Sequence, residues 1–255
     1  MSFFSDLKAI NKVVFKKTNE SYSKNIFLIP MLGLYIVAYA IFSYLLGITV
    51  GRLGSAGGFL AGIIGWFFSC YMISDYLTHL ENAVNGFKFK FSEIGKNYMR
   101  YFMPALTATA IPNIIVSLFM ALTRIPVPSF LILFFYLVYA TPEVIYQKDL
   151  DRLEIFAYGH NFIKENWQHW LLINGILGMI CIGLYMLMSR FVLVPLMGAL
   201  VTMPELLNVI IFSIVQAVLS GIPLLYYLIY RGYIFKILSV SSRRKREYMR
   251  NIYGK

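Results

Sequence analysis

Apolar residues in this chain fall in long runs separated by short, cation-rich polar stretches. A helix needs about 20 mostly apolar residues to cross the hydrocarbon of a bilayer. Six runs qualify, roughly Ile26–Ile48, Phe59–Leu80, Tyr101–Leu122, Phe130–Tyr146, Trp170–Met188 and Leu207–Tyr230. The fourth is short, and Pro142 is expected to kink it. A seventh apolar stretch, Phe191–Met203, contains Pro195 and Gly198 and is followed by Pro204; it is too short to span and reads as an interfacial or re-entrant piece. The pattern predicts an all-α, polytopic membrane protein with six transmembrane helices. Residues 1–25 form a cytoplasmic amphipathic segment, 26–235 the transmembrane domain and 236–255 a polybasic tail.

The polar stretches have structure of their own. Phe3, Leu7, Ile10 and Val14 share one helical face and Lys8, Lys12 and Lys16 another, which predicts a helix lying on the membrane surface. Between the fourth and fifth runs, Leu150, Leu153, Ala157 and Tyr158 recur at helical spacing amid Asp149, Asp151, Arg152 and Glu154. Phe87-Lys88-Phe89-Lys90-Phe91 alternates like an extended interfacial segment, and Ser92 is placed to cap the next helix. Three similar hinges, Tyr22-Ser23-Lys24-Asn25, Ile94-Gly95-Lys96-Asn97 and Ile163-Lys164-Glu165-Asn166, suggest a threefold repeat of amphipathic segment, hinge and helical hairpin. Pro30 and Pro104 enter the first two units, with Asn174 in a comparable place in the third. Chance similarity among juxtamembrane Lys and Asn residues is the competing account.

Composition agrees. The chain is 59% hydrophobic and 14% charged, with a mean hydropathy of +0.67, whereas soluble domains carry about 25% charged residues. Aromatics at 17% suit interfacial belts, for which Trp167 and Trp170 are candidates. The net charge of +11 is unevenly placed: 20 of the 23 Lys and Arg residues lie before the first run, after the second, after the fourth and after the sixth. Such asymmetry marks the cytoplasmic side of a cell membrane, and predicts that both termini lie there. Cys70 and Cys181, each inside an apolar run, imply no disulfide framework and read as small buried hydrophobes. Ala38-Tyr39-Ala40 imitates a signal-peptide cleavage site, but the apolar run continues to Ile48, so no cleavage is expected.

Ionisable groups inside spanning segments are functional candidates by default. Asp75 and His79 lie four apart near the inner end of the second run, and Glu143 and Arg231 near the inner ends of the fourth and sixth. If the repeat holds, they sit at equivalent places and form one cluster beneath the bundle. Such a cluster suits an ion-pair network or snorkelling, a proton or ion path, or a metal site completed by His160 or His169. No dense ligand motif is present, so neither metal nor cofactor is expected. Asn113, Asn174, Ser213, Gln216 and Ser220 lie deeper, several beside Gly or Pro. They fit a midplane site or interhelical hydrogen bonds. Gly58, Ala61, Gly62 and Gly65 predict close helix contact. The glycines at 51, 54, 57 and 58 lack the strand and Lys-Ser/Thr of a phosphate loop. The basic tail (Arg243, Arg244, Lys245, Arg246 and Arg250) predicts attraction to anionic headgroups, about 1 kcal/mol per residue near the surface. An acidic cytoplasmic partner is the alternative; nothing points to nucleic acid. Nucleophile-elbow, Walker and zinc-protease motifs are missing.

The layout from Thr141 to Leu177, with its amphipathic segment leading through Asn166-Trp167 into a span, resembles six-helix bacterial membrane proteins related to the membrane domain fused to some glycerophosphodiester phosphodiesterases. Gly221-Ile222-Pro223 and Tyr226-Tyr227 are compatible with that group, which brings no catalytic residues. The surface helix and the Phe191–Met203 piece also resemble permease subunits of ABC exporters, which implies an ATPase partner docking on the connection from Glu81 to Arg100. The leading expectation is a non-enzymatic structural, lipid-interacting or accessory protein. The alternatives are a permease subunit and an intramembrane lipid-modifying enzyme using Asp75, His79 and Glu143 as its acid–base set. A homo-oligomer fits each.

Overall fold

The computed structural model describes residues 3–50, 53–124, 136–150, 152–200 and 205–240. Among these the regular elements are all helical: α1 (Phe3–Lys24), α2 (Leu28–Val50), α3 (Gly54–Val84), α4 (Phe102–Thr123), α5 (Thr141–Lys148), α6 (Glu154–Leu200) and α7 (Glu205–Leu238), with a 3₁₀ turn at Phe91–Glu93. Five of them, α2, α3, α4, α6 and α7, are long and apolar enough to cross a bilayer.

α7 is the hub. It packs against α1, α2, α3, α5 and α6. α6 runs antiparallel beside it, pairing Phe162 with Phe235, Trp170 with Arg231, Gly178 with Tyr227 and Cys181 with Pro223. α2 approaches α7 through small residues: a Cβ on Gly221 would lie 2.9 Å from Ile29, and one on Gly33 3.7 Å from Ala217. Antiparallel α2 and α3 stack Phe42 on Phe68 at 4.1 Å.

The packed core gathers at one end of the molecule. Ile10 and Val14 of α1, Leu77 to Val84 of α3, Val144 to Tyr146 of α5, Phe162 and Trp170 of α6 and Leu225 to Leu238 of α7 supply most of it. Beyond this head the helices show apolar faces outward, as at Leu34, Tyr44, Ile115, Leu118, Ile180 and Leu187. In water such a surface would collapse. In lipid it needs no protein cover.

Several expected boundaries move. The N-terminal segment is helical, but Asp6, Ile10, Val14, Thr18 and Ser21 form a buried stripe while Lys8, Lys12 and Lys16 stay exposed. Its Ile10–Val14 side therefore packs on α7 and α3, where a surface helix would have met lipid. The Glu154–Tyr158 part of the expected interfacial piece, the hinge at Ile163–Asn166, the span Trp170–Met188 and the Phe191–Leu200 part of the re-entrant piece belong to one 47-residue helix, α6. The reason is local: Lys164 and Glu165 are good helix formers, Asn166 bonds back to Phe162 O at 3.2 Å, and the first proline comes at Pro195. At about 70 Å, α6 is roughly twice the hydrocarbon thickness. Its first half belongs to the head.

Pro142 begins a helix where a kink was expected. Residues 125–135, most of the fourth run, lie outside the described residues. A turn at Tyr139-Ala140, with Ala140 at φ 52°, precedes α5, whose first turn holds Pro142. Pro30 and Pro104 likewise sit in the first turns of α2 and α4, where a missing N–H leaves no bond unmade. Ser92 lies inside the 3₁₀ turn, and α4 begins ten residues later without a side-chain cap. Of the three proposed hinges, those at 22–25 and 94–97 interrupt helices. Open space surrounds the Cβ positions of Gly58 and Gly62, whereas Gly65 is buried and a Cβ there would lie 3.7 Å from the Tyr39 hydroxyl of α2, so this stripe meets a helix only at its Gly65 end; Gly33 and Gly221 mark the approach of α2 to α7.

Candidate functional site

The four ionisable candidates divide between two junctions at the head. Asp75 is fully buried on α3. Its Oδ2 accepts a short hydrogen bond from the Tyr35 hydroxyl of α2 and one of 2.8 Å from the Gly95 amide. Gly95 has φ +71°, a conformation glycine adopts without penalty, so the residue type fits the amide's position over the carboxylate. His79, one turn on, places Nε2 3.8 Å from Asp75 Oδ2, beyond hydrogen-bond range, and packs edge-on to Phe89.

This junction fixes the connection between α3 and α4 along the side of α3. Ser74 Oγ accepts from the Tyr101 amide at 2.9 Å, and Glu81 receives Arg100 at 2.8 Å and the Tyr101 hydroxyl at 2.9 Å. Burial first, then the Glu81 carboxylate, raise the Tyr101 phenol well above its ordinary pKa and keep it a neutral donor. Asn25 closes the other end. It donates to Phe87 O at 3.1 Å and accepts from the Phe89 amide at 2.8 Å, holding the extended Phe87–Lys90 stretch against the α1–α2 hinge.

The second junction joins α5, α6 and α7. Arg231, wholly buried, donates from Nε to Glu143 Oε1 at 2.6 Å and from Nη2 to Glu143 Oε2 at 2.9 Å, a fork-on-fork pair. Nη2 also donates to Leu137 O at 2.9 Å and Nη1 to the Tyr227 hydroxyl at 3.2 Å, while the guanidinium stacks 4.7 Å from the Trp170 ring. Trp170 Nε1 donates to Val138 O at 2.9 Å. The turn before α5 frees these two carbonyls, and Arg231 and Trp170 take them up. In a low-dielectric setting each orphaned carbonyl would carry a penalty of a few kcal/mol. Trp170 is thus core, not belt; Trp167 is the exposed one.

The remaining candidates do not converge. Asn113 is exposed on α4 and bonds back to Thr109 O at 2.7 Å, beside Pro112, whose missing N–H leaves Ala108 O to the Tyr136 hydroxyl at 2.9 Å. Gln216 is exposed and 3.4 Å from the Tyr185 hydroxyl. Asn174, buried on α6, donates to Trp170 O at 2.7 Å. His169 pairs with Asp6 of α1 at 3.2 Å, and His160 lies 6.5 Å from the Tyr139 ring. Among the described residues no three His, Cys, Asp or Glu side chains gather as a metal site. The basic tail from Arg243 to Arg250 lies outside the described residues.

Sequence reading missed Tyr35, Gly95, Trp170 and Tyr227 as partners of these charges. Tyrosines within apolar runs carry no signal of what they bond; only Gly95, in a polar hinge, offered one.

Helices and junctions together define an all-helical, multi-pass membrane protein with a packed head. Comparison with protein-family models, curated proteins and solved structures finds no match for this chain.

Proposed function

We propose that the protein is a non-enzymatic, lipid-interacting accessory protein of the bacterial cytoplasmic membrane, with its head and both termini on the cytoplasmic side. The observation that carries this reading is the division between a lysine-bearing head and apolar helices beyond it. Lys8, Lys12, Lys16, Lys17 and Lys24 are exposed or nearly so on α1. Two clefts open in the head, one of about 260 Å³ beside Lys17, Lys24 and Lys236 and one of about 230 Å³ beside Lys148 and Lys236. Such cations at a membrane surface attract anionic headgroups.

Other observations support parts of the reading. The Lys and Arg asymmetry supports the orientation. Tyr136 bonds to Ala108 in the first half of α4, so the chain after α4 has come back toward the head, in keeping with six crossings. Asp75, Glu143 and Arg231 are each bonded to protein groups on another element, which favours packing over an ion path or acid–base chemistry. The cleft of about 290 Å³ between α2 and α3 is walled by Leu32, Ile36, Met72, Ile73 and Leu77 with tyrosines. It suits an acyl chain better than a polar substrate, which ranks a permease lower.

The test is thermal unfolding of the full chain in bilayer discs of phosphatidylcholine with and without phosphatidylglycerol. Anionic lipid should raise the midpoint, and Lys8, Lys12, Lys16 and Lys17 changed together to Gln should erase the rise. Indifference to lipid charge would overturn the reading, as would a stoichiometric ATP-hydrolysing subunit purifying with the protein from its native membrane.

A further inference from the structure

Where α6 passes α7 and the turn before α5, a cavity of about 400 Å³ runs from the Arg231 junction along α6. Its walls are Leu171, Gly175, Gly178, Met179 and Ile182, and Asn174 and Arg231 lie among its lining residues. A Cβ on Gly175 would meet nothing within 4 Å, so this glycine leaves the groove open.

Three polar groups here have unmet capacity among the described residues. Arg231 has five N–H donors. Glu143 takes two, Leu137 O a third and Tyr227 a fourth, which leaves one on Nη1 without a partner among the described residues; the Tyr227 hydroxyl, which also lines the cavity, accepts from Arg231 and donates to no described group. Asn174 is 6% exposed, and its Oδ1 accepts no hydrogen bond among the described residues. The cavity is therefore lined by one unmet acceptor, on Asn174, and two unmet donors, on Arg231 and Tyr227. A hydroxyl serves the acceptor and one of the donors, since it donates and accepts at the same oxygen. Net charge is zero because Glu143 neutralises Arg231. A phosphate placed here would lose its hydration without gaining an unpaired cation.

We propose that this cavity binds the hydroxyl end of an uncharged lipid alcohol, such as diacylglycerol, with its chain laid along Gly175, Gly178 and Ile182. The inference rests on the lipid-interacting reading for the depth at which a lipid meets the cavity, and adds the class of lipid.

The test uses the full chain in phosphatidylcholine vesicles carrying a trace of diazirine-bearing diacylglycerol, its methyl ether, or the matching phosphatidylglycerol, with labelled peptides mapped after irradiation. The alcohol should label residues 171–182 about fivefold more than the ether, as expected for one hydrogen bond. Asn174→Leu should abolish that preference, and Gly175→Phe should abolish labelling of this stretch. Asn174→Leu removes an unmet acceptor and puts an apolar side chain of similar size in its place, so it stands as the test even where Gly175→Phe fails to fold. Equal labelling by alcohol and ether in the unmodified protein, or stronger labelling by phosphatidylglycerol, would overturn the proposal. Neither result touches the stabilisation by anionic lipid, so the two readings fail separately.

Discussion

Glu143→Gln removes one charge from a pair that is wholly buried, and the penalty can be worked from the geometry. Arg231 cannot shed its proton, so the variant retains a guanidinium cation inside the head with its counter-ion gone. Breaking one side of a buried pair typically destabilises by about 3–5 kcal/mol. For a chain of this size that corresponds to a fall of roughly 10 °C in unfolding midpoint. Replacing both charges, as Glu143→Leu with Arg231→Met, removes the stranded cation. It still leaves Leu137 O without its 2.9 Å donor, a loss of about 1–3 kcal/mol. The double variant should therefore be more stable than Glu143→Gln, though less stable than the parent. The assay is loss of the monodisperse peak on size exclusion after heating, with Glu143→Leu and Arg231→Met also made singly so that the double-mutant cycle closes. A Glu143→Gln midpoint within 2 °C of the parent (~0.5–1 kcal/mol), or additive single and double effects, would refute the account of Arg231 as the brace of the turn before α5.

Other perturbations act through single contacts. Gly159→Ala sets a Cβ 2.6 Å from Tyr139 O, a backbone atom that cannot rotate away, so a loss of about 1–3 kcal/mol should appear in the same heating assay. Tyr136→Phe strips the donor from Ala108 O beside Pro112 and should lower stability by about 1–3 kcal/mol, whereas Tyr185→Phe, at an exposed 3.4 Å contact, should leave the midpoint unchanged. Gly95→Ala strains a residue at φ +71° by about 1 kcal/mol and should speed proteolysis between Phe87 and Arg100 before it affects the rest of the chain.

Much of the architecture was written in the run lengths of apolar residues, because lipid imposes one simple demand per helix. α2 and α4 come out within two residues of their expected limits for that reason. Junctions between helices were harder to read. Whether Lys164-Glu165-Asn166 bends or continues depends on what surrounds it, and these residues suit a helix as well as a hinge. The four charges were visible as residues out of place, but their partners are tyrosines, a tryptophan and backbone groups brought in from distant sequence. The amphipathic pattern of α1 was legible too. It could not say whether lipid or protein would cover the Ile10–Val14 side, since both reward the same spacing.

The head is closed by the two extremes of the described chain. Asn11 and Asn19 of α1 accept from Tyr230 and Tyr226 of α7, partners more than two hundred residues apart. A ribosome adding about 5–20 residues per second delivers α7 some ten to forty seconds after α1. Through that interval α1 exists without its partner. Its row of lysines gives it somewhere to wait, on the anionic leaflet, until the final helix arrives and covers its Ile10–Val14 side.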